Sequence, residues 1–82
     1  MTHSFTVSIR RKPGLSDPEG ATTKKALNDL GFNGVSHVSF GRTIAVTIDA
    51  STEDEARTQV EAMCKKLLAN PVMEIYVVEA SS

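Results

Sequence analysis

The sequence predicts an α+β fold in which two helices cover one face of a four-stranded antiparallel sheet. Several segments alternate apolar and polar residues with a period of two, which is typical of strands with one buried face. Two other segments place their apolar residues on one helical stripe, so each helix can cover only one face of a sheet. The predicted order is β-α-β-β-α-β, the ferredoxin-like split βαβ arrangement, and we expect residues 1–82 to form a single domain.

The first predicted strand and helix are joined by a loop rich in proline and glycine. The apolar residues that alternate along the strand are Phe5, Val7 and Ile9. Pro13 ends the strand because it has no N–H group to donate to a neighbouring strand. Asp17 is a favourable N-cap, and Pro18 after it suits the first helical position. We expect the helix to run from about Pro18 to Leu30, with Gly31 in the left-handed conformation beyond its end.

The middle of the chain predicts a hairpin. Val35 to Phe40 and Thr43 to Asp49 are predicted strands, and Gly41-Arg42 between them suits a two-residue turn. These two strands would occupy the second and third positions of the four-strand order.

The second helix and the last strand complete this order. Thr52 and Glu55 fit a capping box at the start of the helix. Its apolar stripe consists of Ala56, Val60, Met63, Cys64, Leu67 and Leu68. Asn70-Pro71 ends the helix, and Val72 to Glu79 form the last predicted strand.

The sheet face that the helices leave uncovered is predicted to meet another protein. It would combine polar residues of the first strand with alternate residues of the last strand. The predicted oligomer face consists of Arg10, Val72, Glu74, Tyr76 and Val78. Since a core of this size supplies only about 3–5 kcal/mol of net stability, self-association would add to it.

Composition and charge exclude several functions. A net charge of −1 gives no electrostatic attraction for nucleic acid or for an anionic membrane. No apolar segment approaches the ~20 residues that a membrane span needs. The single Cys64 cannot form an internal disulfide, and the N-terminal residues lack the pattern of a signal peptide. We therefore expect a cytoplasmic protein that binds neither nucleic acid nor membrane.

No residue pattern predicts catalysis, a metal or a cofactor. The acidic residues near the second helix lack the spacing of a calcium loop and suit a helix start: Asp49, Glu53, Asp54 and Glu55. His3 and His37 have no second ligand at metal-binding spacing. Cys64 lies on the apolar stripe, which predicts a buried thiol without a catalytic partner. Phosphate-binding glycine patterns are absent from the sequence.

The segment Lys12 to Gly20 has the most restricted backbone in the chain, with two prolines and two glycines in nine residues. We predict that it is a docking loop, with the residues Lys12, Pro13, Gly14, Asp17, Pro18 and Gly20. Two interpretations stay open. The loop contacts another protein, or Pro13-Gly14-Leu15 binds an amino-acid effector at a dimer interface, as in small regulatory domains of the ACT family.

Three separated blocks of the sequence follow one family pattern. The first consists of Lys12, Pro13, Gly14, Asp17, Pro18, Gly20, Ala26, Leu27, Leu30, Gly31 and Phe32. The second consists of Val35, Val38, Gly41 and Arg42. The third consists of Met63, Cys64, Leu67, Leu68, Asn70, Pro71, Val72, Met73, Glu74 and Tyr76. In this order, over about residues 5 to 79, they resemble the PurS family, the small subunits of phosphoribosylformylglycinamidine (FGAM) synthase.

This resemblance implies a subunit without chemistry of its own. Members of the family belong to a complex that makes FGAM from formylglycinamide ribonucleotide, glutamine and ATP in purine biosynthesis. The implied partners are a glutaminase subunit and a large ATP-dependent synthetase subunit, bridged by a dimer or tetramer of the small subunit. The resemblance implies no cofactor for the small subunit itself. The alternative function is an ACT-like regulatory domain that binds an amino-acid effector.

Overall fold

The structure, a computed structural model, describes residues 1–81 and contains three strands and two helices. In chain order these are β1 (Thr2–Arg11), α1 (Pro18–Asp29), β2 (Gly41–Asp49), α2 (Glu53–Met63) and β3 (Glu74–Ser81). β1 is the central strand and pairs antiparallel with β2 on one side and with β3 on the other. The order along the described chain is therefore β-α-β-α-β.

The core lies between β1 and α2. The alternation predicted for the first strand is confirmed, because Phe5, Val7 and Ile9 are fully buried on one face of β1. α2 covers this face with Ala56, Val60 and Cys64, which recur every fourth residue and are also fully buried. Partly buried side chains of the two outer strands surround this centre: Ile44, Val46, Ile48, Tyr76 and Val78.

The predicted four-stranded sheet is wrong, since the sheet of the described residues has three strands. Residues 35–40 form no strand, and the predicted hairpin turn is the beginning of β2. Gly41 pairs with Arg10 of β1, and Arg42 pairs with Ile9. The correct architecture is thus smaller than the ferredoxin-like sheet that the alternation indicated.

Residues 35–40 are held against the start of α1 instead of against another strand. The backbone N–H of Phe40 donates to the Asp17 carboxylate over 2.9 Å. The carbonyl oxygen of Val38 lies so close to Gly20 that a methyl group there would clash with it. Valine and phenylalanine in this segment favour extended backbone, but a strand also needs a neighbour with free hydrogen-bonding groups. The sequence of this segment contains no information about that neighbour.

The two helices do not share one face of the sheet, as was predicted. α2 contacts all three strands, whereas α1 makes no comparable contact with any of them. Gly20 is the only buried residue of α1, and the apolar side chains Leu30 and Phe32 after it are 74% and 58% exposed. The chain is accordingly elongated, with a radius of gyration of 16.4 Å, where about 12 Å is usual for a compact domain of this length.

The last turn after α2 is wider than an α-helical turn. The N–H of Ala69 donates to the carbonyl of Cys64, five residues earlier, over 3.0 Å, so Cys64–Leu68 form a π-helical turn. Within this turn, Leu67 is 83% exposed. The prediction that Leu67 belongs to the apolar stripe is therefore wrong, although Leu68 packs against the core.

Both predicted helix starts are confirmed by their hydrogen bonds. The Thr52 hydroxyl accepts from the N–H of Glu55 over 3.1 Å, and the Asp17 carboxylate accepts from the N–H of Gly20 over 3.0 Å. Gly31 after α1 has φ +101°, which confirms the predicted left-handed residue.

Candidate functional site

The predicted docking loop connects the end of β1 to the start of α1. The N–H of Lys12 donates to the carbonyl of Met73 over 2.9 Å, which fixes the loop to the turn before β3. The N–H of Leu15 donates to the carbonyl of Lys12 over 3.3 Å, and this bond closes a tight turn. Gly14 in this turn has φ +86°, a backbone region that costs energy for residues with a side chain. The loop therefore has a fixed shape and a glycine-dependent bend.

Asp17 joins the loop, α1 and residues 35–40. One carboxylate oxygen accepts from the N–H of Gly20 over 3.0 Å, and the other accepts from the N–H of Phe40 over 2.9 Å. These bonds, first that from Phe40 and then that from Gly20, hold the pKa of Asp17 below its usual value, with smaller contributions from Arg11 and His37. Asp17 and Gly20 thus have local structural roles in addition to any role in docking.

A bidentate ion pair between Arg42 and Glu74 joins the two outer strands. The Arg42 Nη1 atom lies 2.6 Å from Glu74 Oε2, and Nη2 lies 3.0 Å from Oε1. Nη2 also donates to the carbonyl of Leu68 over 2.7 Å, while the N–H of Asn70 donates to Glu74 Oε1 over 2.8 Å. We call these four residues, Arg42, Leu68, Asn70 and Glu74, the clamp.

The clamp lowers the pKa of Glu74 to about 2, first through the hydrogen bonds from Arg42 and then through that from Asn70. The same carboxylate raises the pKa of Arg42. Sequence analysis did not detect this pair because its members are 32 positions apart and Arg42 was assigned to a turn. No local pattern carries such a signal, since neither residue occupies a helix-pair spacing.

The residues of the predicted oligomer face lie in different places. Tyr76 and Val78 are on the side of the sheet that α2 covers, so their assignment to the uncovered face is wrong. Arg10 is on the uncovered face, Val72 is in the exposed turn before β3, and Glu74 belongs to the clamp. The register places the other residues of β3 on the uncovered face, including the exposed Ile75 and Val77.

A cleft of about 320 Å³ lies between the docking loop, residues 35–40 and the ends of β1 and β3. Its residues are Arg10, Arg11, Lys12, Pro13, Gly14, Leu15, Asp17, His37, Ser39 and Ile75. Three consecutive cationic residues face one carboxylate here, and that carboxylate, Asp17, already accepts two backbone N–H groups. The cleft is therefore positively charged.

The single thiol and the possible metal ligands of the described residues lie apart from one another. Cys64 is fully buried, and burial raises the pKa of its thiol, which disfavours the reactive thiolate. Within residues 1–81, no three His, Cys, Asp or Glu side chains come together as metal ligands. In the same part of the chain, no helix has the length and apolar character that crossing a bilayer would require.

A family profile matches almost the whole sequence. Residues 4–82 fit the profile PurS, which is described as phosphoribosylformylglycinamidine (FGAM) synthase. A phosphoribosylformylglycinamidine synthase subunit PurS from Methanocaldococcus jannaschii is 45% identical over 77 residues, which cover 94% of this chain and 93% of that protein.

Solved structures show the same likeness in three dimensions. The crystal structure of PurS from Methanocaldococcus jannaschii, a subunit of formylglycinamide ribonucleotide amidotransferase, superposes with a TM-score of 0.85 at 43% identity and covers 100% of this chain and 98% of that one. A chain in the structure of PurLQS from Thermotoga maritima superposes with a TM-score of 0.91 at 26% identity and covers 99% of both chains.

Proposed function

The chain belongs to the PurS family of FGAM synthase, and from this premise we propose how its surfaces serve the complex. It is a subunit of FGAM synthase in purine biosynthesis, and it bridges the glutaminase subunit and the ATP-dependent synthetase subunit. The observation that carries this function is its full-length likeness to a chain of the Thermotoga maritima PurLQS structure. The ACT-like alternative has no support in these comparisons.

The bridging role fits a chain that contributes shape instead of chemistry. Its cysteine is buried with a raised pKa, and its two most engaged carboxylates, Asp17 and Glu74, are held by backbone N–H groups and by Arg42. We propose that the glutaminase and the synthetase supply the catalytic groups and that this chain orients them. We also propose that it works in the cytoplasm as a single domain, which fractionation of cells and limited proteolysis would test.

Self-association has a physical basis in the projecting helix. α1 carries its apolar residues away from the sheet, so Leu30 and Phe32 are exposed. On the covered side of the sheet, Ile44, Val46 and Ile48 of β2 are only partly buried. Burial of apolar surface is favourable by roughly 25 cal/mol per Å². A second copy of the chain that covers them would stabilise both protomers.

We propose that the loop from Lys12 to Gly20 is a docking element for the partner subunits. Its two ends are fixed, at Lys12 by the bond to Met73 and at Asp17 by the cap of α1. A loop that is ordered before binding loses less conformational entropy when it binds. The tip between these ends, Pro13 to Ser16, is exposed and thus available to a partner.

The test is reconstitution of the three-subunit enzyme with a Gly14→Val variant. The valine is strained at φ +86°, so the loop should change shape while the core between β1 and α2 stays intact. We expect poor FGAM formation with glutamine as the nitrogen source and a smaller defect with added ammonium. Gly34→Val is the matched control, because Gly34 lies in another exposed turn with open space around it.

Two outcomes would contradict the docking role. Full glutamine-dependent turnover by a folded Gly14→Val variant at limiting subunit concentration would show that the shape of the loop is not needed. Unfolding of the variant, measured by circular dichroism, would show that the loop is a structural element. Failure of the unmodified chain to support FGAM formation at all would contradict the bridging function itself.

A further inference from the structure

The net charge of −1 conceals opposite charges at the two ends of the sheet. The antiparallel register places the end of β1 beside the starts of β2 and β3, and the clamp adds the end of the helical segment Glu53 to Leu68. The cationic residues at this end are Arg10, Arg11, Lys12, Arg42, Lys65 and Lys66. Asp17, Glu19 and Glu74 offset part of this charge. The acidic residues at the opposite end are Asp49, Glu53, Asp54 and Glu55, and there the Met1 amino group pairs with Asp49. Only the fold reveals this separation.

Three of the cations at the basic end have no carboxylate partner among residues 1–81. Arg42 is engaged by Glu74, whereas Arg10, Arg11 and Lys12 form no ion pair within the described chain. Three acids lie near them: Asp17 accepts two backbone N–H groups, Glu74 belongs to the clamp, and Glu19 lines the neighbouring groove with Arg10 and Arg11. The lining of the cleft itself holds three cations and one carboxylate, Asp17, so the cleft keeps an excess of positive charge.

The rim of the same cleft is apolar. Leu15 and Ile75 line it and are 42% and 37% exposed. Arginine is enriched in protein interfaces relative to the rest of the surface, and the buried centre of an interface is largely apolar. A free phosphate or another small hydrophilic anion would leave these apolar side chains in water. A polypeptide segment that carries both carboxylates and apolar side chains would use the whole cleft.

We propose that this cleft docks an acidic segment of one partner subunit of the synthase. Its carboxylates would pair with Arg10, Arg11 and Lys12, and its apolar side chains would cover Leu15 and Ile75. This inference rests on the proposed bridging function and names the chemistry of the partner surface. A second copy of this chain is a less suitable occupant. Its acidic end would have to contact the basic end of the first copy, and such a head-to-tail contact generates open chains unless the rotation closes a ring.

The experiment compares two double variants that remove the same charge. Arg10→Gln/Lys12→Gln removes two cations from the cleft. Lys65→Gln/Lys66→Gln removes two from the exposed end of the helical segment, outside the cleft. Isothermal titration calorimetry measures the affinity of each protein for each separate partner subunit, at low and at physiological salt. Circular dichroism and sedimentation equilibrium verify that fold and oligomeric state are unchanged.

We expect the cleft variant to bind one partner about tenfold or more weakly at low salt, with a flatter salt dependence than that of the unmodified chain. The control variant should bind as the unmodified chain does. Equal affinity of all three proteins, or equal weakening in both variants, overturns the inference while leaving the bridging function intact. Loss of self-association in the cleft variant also overturns it, because the occupant would then be a second copy. If the unmodified chain binds neither partner, the proposed function fails first.

Discussion

Removing the guanidinium of Arg42 tests whether the clamp stabilises the sheet. Arg42→Met keeps the length of the aliphatic side chain and deletes the three hydrogen bonds to Glu74 and to the carbonyl of Leu68. Glu74 would then be a half-buried carboxylate with only the N–H of Asn70 as a donor. Because Arg42 connects β2 with β3 and with the end of the helical segment, its loss should weaken contacts on both sides of β1.

The magnitude follows from the pKa of Glu74. Its decrease from 4.5 to about 2 corresponds to roughly 3 kcal/mol of differential interaction between the protonation states. The bond from Asn70 remains in the variant, and Arg42 is 48% exposed whereas Glu74 is 16% exposed. Solvent around Arg42 therefore leaves about 1–2 kcal/mol for the loss of the pair. Loss of the bond to Leu68 adds about 1 kcal/mol. We therefore expect Arg42→Met to lower the free energy of unfolding by about 2–3 kcal/mol at neutral pH.

The pH dependence provides a second measurement with a defined sign. Since the pKa of Glu74 is lowered in the folded state, its stabilising contribution is present above about pH 4.5 and is lost as the pH falls towards about 2. The difference between the unmodified chain and Arg42→Met should shrink over that range. The titration of the Glu74 carboxyl group, followed by NMR, should shift upwards in the variant.

Urea unfolding at a fixed protein concentration is the appropriate assay, because self-association contributes to the measured stability. Lys25→Met is the matched control, because it breaks an ion pair that is largely exposed. The Lys25 Nζ atom lies 3.2 Å from Asp29 Oδ2. That control should cost no more than about 0.5 kcal/mol. An Arg42→Met effect as small as the control, or a Glu74 pKa near 4.5 in the unmodified chain, would refute the stabilising role of the clamp.

Three further substitutions test the packing around α1 and α2. Gly20→Ala places a methyl group against the carbonyl of Val38, so it should lower the free energy of unfolding in urea by about 1–3 kcal/mol. The control Gly34→Ala, in open space, should be nearly neutral, and equal effects would contradict the close approach. Cys64→Ala should cost on the order of 1 kcal/mol, and the native thiol should resist alkylation until the chain unfolds. Asp17→Ala removes the acceptor at the start of α1, so hydrogen exchange at the Gly20 amide should accelerate, and unchanged exchange would exclude the cap.

The candidate site was only partly accessible to sequence reasoning. Asp17 and Gly14 were found because a helix cap and a glycine-dependent turn are local features with local signatures. Arg42 and Glu74 were not paired, because the strand register that brings them together is set by β1, which neither residue belongs to. The cleft was missed for the same reason, since its cations become neighbours of His37 and Ile75 only in the folded chain.

Elements with local signals could be predicted before the fold was known. The alternation of Phe5, Val7 and Ile9 indicated a strand with one buried face, and the caps at Asp17 and Thr52 marked where both helices begin. The family pattern, spread over nearly the whole chain, was also present in the sequence alone.

The number of paired strands and the helix that covers them could not be predicted in this way. Residues 35–40 were predicted to form a strand, yet a strand forms only where a neighbour offers free N–H and C=O groups, and these residues meet α1 instead. α1 has an apolar stripe, but a stripe does not specify the surface that will bury it. Pairing and coverage are interactions between distant parts of a chain, or between chains, and periodicity within one segment carries no information about them.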